Sequence, residues 1–124
     1  MIPNHPPHFA IIGAGTAGLA TAILLARQNI QVSILEKASE LEPVGAGLLL
    51  QPSGLAVFEH LGLLDEVLRL GAKVTGLKGQ LPSGNLLVNS HYQQAHPDFY
   101  GVGIHRATLC HVLENKCREY SELI

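Results

Sequence analysis

Only two cysteines, no cluster of basic residues and no long apolar run occur in these 124 residues. Each shortage removes a class of function. Eight Lys and Arg against ten Asp and Glu leave a net charge of −2. Nothing therefore draws the chain to nucleic acid or to an anionic membrane surface, and small-molecule partners are expected. No segment approaches the eighteen or so apolar residues that a bilayer span requires, since the longest apolar stretch stops at Arg27 and Gln28. The opening MIPNHPPH carries prolines and no basic n-region, which argues against a signal peptide and for a cytoplasmic protein. Cys110 and Cys117 fall on what reads as one helix and suit burial as small hydrophobes better than a disulfide. His105, Cys110, His111 and Cys117 match no zinc spacing, so no metal site is expected.

What the chain does have is 47% hydrophobic residues, enough for the core of one small domain. The organising stretch is Phe9 to Glu36. Phe9 to Ile12 form a short apolar run suited to a buried parallel strand, followed at once by Gly13, Gly15 and Gly18 in G-x-G-x-x-G spacing. Gly13 permits a sharp turn from strand to helix, Gly15 removes a side chain where a pyrophosphate would approach, and Gly18 lets the helix lie close on the strand. The spacing predicts a helix from Thr16 to Gln28, with Thr16, Ala17 and Gly18 in its first turn. Free N–H groups and the positive helix end would there face an anionic phosphate pair. Val32 to Leu35 form the second strand. It ends in Glu36, about 20 residues after the glycines, where a carboxylate can accept bonds from both ribose hydroxyls and would repel a 2′-phosphate. The stretch is read as an adenine dinucleotide site.

A polar connection from Ala38 to Pro43 leads to a second glycine-bearing segment, with Gly45, Ala46 and Gly47 before Leu48. Side chains are missing from this backbone either because it passes close to a cofactor or because it is a simple loop and strand start; the residues leave both open. Ser53 is expected to cap a helix carrying Leu55, Phe58 and Leu61, with Gly62 ending it before an apolar stripe of Leu63, Leu64, Val67 and Leu68. Val74 to Leu81 and Leu86 to Val88, joined by Pro82-Ser83-Gly84-Asn85, read as a hairpin. Asn89 to Pro97, which includes His91 and His96, reads as a polar surface loop. Tyr100 to Ile104 then leads through His105 and Arg106 into a helix whose apolar face is Leu109, Val112, Leu113 and Cys117. Arg106 stands at a helix N-terminus, where a cation does not favour the dipole. An ordinary surface arginine and a paired contact to phosphate or carboxylate both fit it.

With these residues in view, the chain resembles the N-terminal part of a group A, single-component FAD-dependent aromatic-ring monooxygenase, similar to salicylate and 6-hydroxynicotinate hydroxylases. The resemblance rests on I-I-G-A-G-T-A-G-L at Ile11 to Leu19, Glu36-Lys37, G-A-G-L-x-L-x-P at Gly45 to Pro52, L-G-L-L-D at Leu61 to Asp65 and H-R-A-x-L at His105 to Leu109. It implies an α/β fold: a Rossmann-like FAD-binding domain with a parallel sheet, incomplete within residues 1–124 and carrying a hairpin insertion. Gly13, Gly15 and Gly18 would approach the FAD pyrophosphate, Glu36 would hold the ribose with Lys37 beside it, Gly45 to Gly47 would lie along the flavin, and Arg106 would contact FAD. Ser53 and Thr108 stand where an asparagine and an acidic residue are common in the family.

The activity implied by that resemblance is hydroxylation of an aromatic substrate with NAD(P)H and O2. Later family motifs, an Asp-Gly and a Gly-Asp, and the region covering the substrate do not occur in the 124 residues, so the chain alone is expected to be inactive. No residue stands out as a general base, and no catalytic residue is assigned. Two other readings stay open: a non-catalytic or decayed nucleotide-binding module, and the NAD-binding half of a dehydrogenase, which the first motif by itself allows. An unpaired sheet edge and apolar surface predict self-association of the chain.

Overall fold

A computed structural model describes residues 6–39 and 45–124. Residues 40–44 of the polar connection, and 1–5 of the opening stretch, lie outside the described residues. In chain order the elements are β1 (His8–Ile12), α1 (Thr16–Ala26), β2 (Gln31–Leu35), β3 (Gly47–Leu50), α2 (Pro52–His60), α3 (Leu64–Leu70), β4 (Ala72–Val74), β5 (Gly76–Gln80), β6 (Leu86–His91), β7 (Gly101–His105) and α4 (Arg106–Arg118). They form two compact units, Met1–Ala46 with Arg106–Ile124, and Gly47–His105.

The first unit is a parallel βαβ built on the glycine-rich stretch. β1 and β2 pair in parallel, Phe9 opposite Val32 and Ile12 opposite Leu35, with α1 as the crossover helix. Alanine and leucine favour the helix. It ends where Asn29 takes a left-handed φ of 57°, with Asn29 N–H donating to Ala26 O and Ile30 N–H to Leu25 O, a closing pattern that asparagine tolerates. α4 lies against α1. Leu19, Ala22 and Ile23 meet Leu109, Val112, Leu113 and Cys117 in the unit's core, all at most 7% exposed. The apolar face read along α4 is therefore the buried one. Beyond α4, Leu123 O accepts the Val32 N–H at 2.7 Å.

β1 is parallel as expected but is not buried: Ile12 is 80% exposed and Leu35 55%. Alternation along a strand sends Ile11 and Ile12 to opposite faces. Ile11 faces α1 at Gly18, and among the described residues nothing covers the face that Ile12 and Leu35 share.

The second unit centres on an antiparallel sheet of order β3-β7-β4. β7 is its middle strand, and Val102 and Ile104 are buried in a core with Leu55, Phe58, Leu61 and Val67 of the helical segment. α2 begins with Pro52 at its first position and Gln51 as the N-cap. Ser53 therefore lies inside the helix and does not cap it: proline's fixed φ and missing N–H already suit the first turn. Gly62 ends α2 at φ +70°, with Leu63 N–H donating to Phe58 O and Gly62 N–H to Glu59 O, the bond pair of a Schellman motif.

The hairpin is present, with different limits. Val74 does not begin it: Val74 closes β4, paired with Gly101 of β7, and β5 starts at Gly76. Asn89 to His91 are not loop. They extend β6, with Asn89 opposite Lys78, Ser90 opposite Leu77 and His91 opposite Gly76. A two-stranded ribbon exposed on both faces continues by backbone bonds alone, so it carries no apolar alternation to mark its length. A 3-10 turn over Tyr92–Gln94 follows, capped by the His91 side chain.

Candidate functional site

The glycine turn is built as its spacing requires. Gly13 has φ +102°, a region that residues with a Cβ rarely enter, and its N–H donates to Leu35 O at 2.7 Å. This ties the turn to the end of β2. At Gly18 a Cβ would run into the Gly13 carbonyl oxygen and lie 3.3 Å from Ile11 Cγ2; only glycine lets α1 settle this close to β1. At Gly15, the N-cap, a Cβ would meet nothing within 4 Å, so the space before the helix is open. No side chain caps α1 and no acidic residue stands in its first turn. The N–H groups of Thr16, Ala17 and Gly18 thus have no intrahelical partner and point into that space.

Glu36 closes the turn from the other side. Its Oε2 accepts the Ala14 N–H at 2.8 Å and its Oε1 the Ala38 N–H at 3.0 Å. The Ala14 bond first, then that from Ala38, holds this carboxyl below the usual carboxylate value. Both oxygens keep lone pairs for further donors. Ala14 was not among the residues singled out in the sequence. Its part is played by a backbone N–H, and no side-chain pattern marks that. Lys37 follows, exposed.

Beside the Glu36–Ala14 contact opens a cavity of about 410 Å³, walled by Leu19, Ile34 and Cys117 and rimmed by Glu114 and Arg118, which are paired at 2.7 Å. Cys117 is buried and Cys110 half-buried, both free thiols. Burial first, and then Glu114, push the Cys117 thiol up to about 11. Among the described residues no group of three or more His, Cys, Asp or Glu could hold a metal ion. Nor is any described helix long and apolar enough to cross a membrane.

Gly45 and Arg106, far apart in sequence, come together in the first unit. Gly45 has φ +130°, and a Cβ there would lie 3.6 Å from Arg106 Cδ and 3.9 Å from Nε and Nη1. The guanidinium at the head of α4 thus packs on bare backbone. Ala46 continues that backbone, whereas Gly47 lies in the second unit, opposite His105 at the start of β3.

The comparisons with known proteins extend this geometry. Over 104 residues, 80% of this chain and 26% of the relative, the sequence is 38% identical to 3-hydroxybenzoate 6-hydroxylase of Klebsiella oxytoca. It is 38% identical over 69 residues, 56% of this chain and 18% of the relative, to 3-amino-4-hydroxybenzoate 2-monooxygenase of Streptomyces cremeus. Among solved structures, Pseudomonas aeruginosa PqsL in complex with 2-aminobenzoylacetate aligns with a TM-score of 0.84 at 29% identity, covering 93% of this chain and 32% of that one. The chain thus spans about a quarter of the first relative's length. Residues 8–116 match the family model described as FAD binding domain, and so the chain belongs to that family, whose cofactor is FAD.

Proposed function

We propose that the first unit holds the adenosine diphosphate half of FAD, and that residues 1–124 are the N-terminal part of an FAD-binding domain in a monooxygenase that hydroxylates a small aromatic substrate with NAD(P)H and O2. The supporting observation is the head of α1: an uncapped helix N-terminus, open space at Gly15, and a carboxylate braced beside it at Ala14. In this reading the N–H groups of Thr16, Ala17 and Gly18 donate to phosphate oxygens, and Gly13 and Gly15 leave room for them. Glu36 accepts from the ribose hydroxyls with Lys37 beside it, and its charge disfavours a 2′-phosphate. Arg106 offers paired donors to an anionic oxygen next to the bare backbone of Gly45 and Ala46. Bound FAD supplies the redox chemistry; the protein orients it and excludes water. No residue of this chain is assigned a catalytic role. The net charge of −2 supports small-molecule over nucleic-acid partners.

Titration of the purified chain with FAD, followed by flavin fluorescence with NAD as competitor, tests the proposal. Saturable FAD binding that NAD displaces poorly is expected, with weaker binding in Arg106→Ala. Tighter binding of NAD than of FAD, or no binding by a folded chain, overturns it.

A further inference from the structure

The segment that joins the hairpin to β7 carries none of the glycine motifs, yet it walls a pocket of the second unit. Tyr92 Oη donates to Gln51 Oε1 at 2.7 Å, which ties the segment to the N-cap of α2. Between α2 and the residues that follow lies a pocket of about 320 Å³, within the size range of small-molecule sites. Leu55 and Glu59, one helical turn apart, face it from α2, and Leu64 from the head of α3. His96, Asp98, Phe99 and Tyr100 close the other side.

The wall is aromatic and the rim acidic. The Phe99 N–H donates to His96 O at 3.0 Å, a turn that brings the two rings to 5.0 Å between centroids at 38°, where aromatic pairs attract. Phe99 still stays 42% exposed beside the buried Leu55, so a ring is left facing water. His96 Nδ1 accepts the Asp98 N–H at 3.3 Å; a ring nitrogen that accepts carries no proton, so His96 is neutral and adds no positive charge. Glu59 and Asp98 are both exposed carboxylates, and no Lys or Arg lines the pocket. One cation is already held by this wall from outside the lining: Lys73 Nζ stands 4.2 Å from the Tyr100 ring centroid. That single charge is outnumbered. Asp65, in the first turn of α3 next to Leu64, adds a third carboxylate, whereas Glu66 is paired with Arg69 at 3.2 Å.

We infer that this pocket binds a small organic cation, an alkylated ammonium group, with Phe99 as its aromatic contact and Glu59 and Asp98 as its counter-charges. Such a group combines apolar methyl surface with one diffuse positive charge. It gains from the Leu55 and Phe99 contacts and from the ring and carboxylates together. A neutral molecule of the same shape gains only the apolar contact, and an anion meets two like charges. The inference is independent of the monooxygenase reading and concerns a ligand other than the cofactor or its substrate.

The test is titration of the isotope-labelled chain with tetramethylammonium and, separately, with neopentyl alcohol, a neutral molecule of similar shape, following the Leu55 and Leu64 methyl signals by NMR at constant ionic strength. Saturable shifts with the cation, at least roughly threefold tighter than with the alcohol, are expected. Phe99→Leu keeps an apolar side chain and removes the ring face, and Asp98→Asn and Glu59→Gln each remove one charge. Each substitution should weaken binding of the cation by about two- to threefold and leave that of the alcohol unchanged. All three side chains are exposed, so the melting temperature should not move. Absence of saturable shifts in a well-dispersed spectrum, equal or tighter binding of the alcohol, or indifference of the cation to all three substitutions overturns the inference.

Discussion

The Ala14 N–H donates to the Glu36 carboxylate at 2.8 Å across a separation of 22 residues. One bond thereby joins the turn after β1 to the end of β2, and it aims a charge at the mouth of the helix. Replacing Glu36 with Ala removes that brace and, in the proposed reading, the acceptor for the ribose hydroxyls, so FAD affinity should fall roughly tenfold or more, read by flavin fluorescence. An unchanged affinity would show that Glu36 does not touch the nucleotide.

The same bond sets a pH dependence. Glu36 titrates below its ordinary value of 4.5 in the folded chain, so as pH falls the unfolded chain takes up the proton first. Its contribution to stability is complete above about pH 4.5 and is lost below it, as pH falls through the folded value. In Glu36→Gln, urea unfolding measured between pH 6 and pH 3 should show a shallower decline than in the parent chain.

Gly18 permits the closest approach of helix to strand. Gly18→Ala would force the new methyl against the Gly13 carbonyl and Ile11, and helix propensity cannot compensate for that crowding. A loss of about 1–3 kcal/mol is expected from overpacking of this kind, measured as a lower urea midpoint. A midpoint equal to or above the parent's would mean that α1 can lift away from β1 freely.

Cys117 is buried between α4 and α1 at the wall of the cavity, its Sγ 3.7 Å from Leu19 O, whereas Cys110 is half-buried. Iodoacetamide at pH 8 should modify Cys110 first and Cys117 only on unfolding. Because the folded thiol titrates near 11 against 9.0 for an ordinary one, the folded state holds its proton longer. Stability should therefore decline as pH rises from about 9 through about 11. Equal labelling rates of the two thiols in the folded chain would contradict the packing.

Leu86 and Leu87, 55% and 68% exposed, lie side by side on β6 at a bulge, where Leu86 stands opposite Gln80, Val88 opposite Gly79 and Leu87 is the extra residue. Such a ribbon invites pairing between copies. The chain should self-associate at high concentration in light scattering, and Leu87→Lys should reduce the apparent mass. A parent chain that stays monomeric would place the hairpin outside any self-association.

Much of the first unit was legible before its structure because its signals are local. Gly13 and Gly18 meet steric demands within a single turn, Glu36 follows at the distance one helix and one strand impose, and Leu109, Val112, Leu113 and Cys117 recur at helical spacing. Other features depend on partners remote in sequence. Val74 belongs to β4 because β7 lies beside it. Asn89 to His91 extend β6 because β5 supplies backbone partners, not because of any side-chain pattern. Ser53 gave way to Pro52, whose ring fixes the first turn one residue earlier.

The sequence by itself determined the βαβ unit, its glycine turn and the carboxylate that follows, since backbone conformation and short-range periodicity depend on near neighbours. Tertiary structure alone decided which N–H would meet Glu36, that Arg106 would pack on Gly45, and that Tyr92 would turn its hydroxyl to Gln51. Those contacts join residues brought together only when helices and strands pack, and no spacing along the chain encodes them.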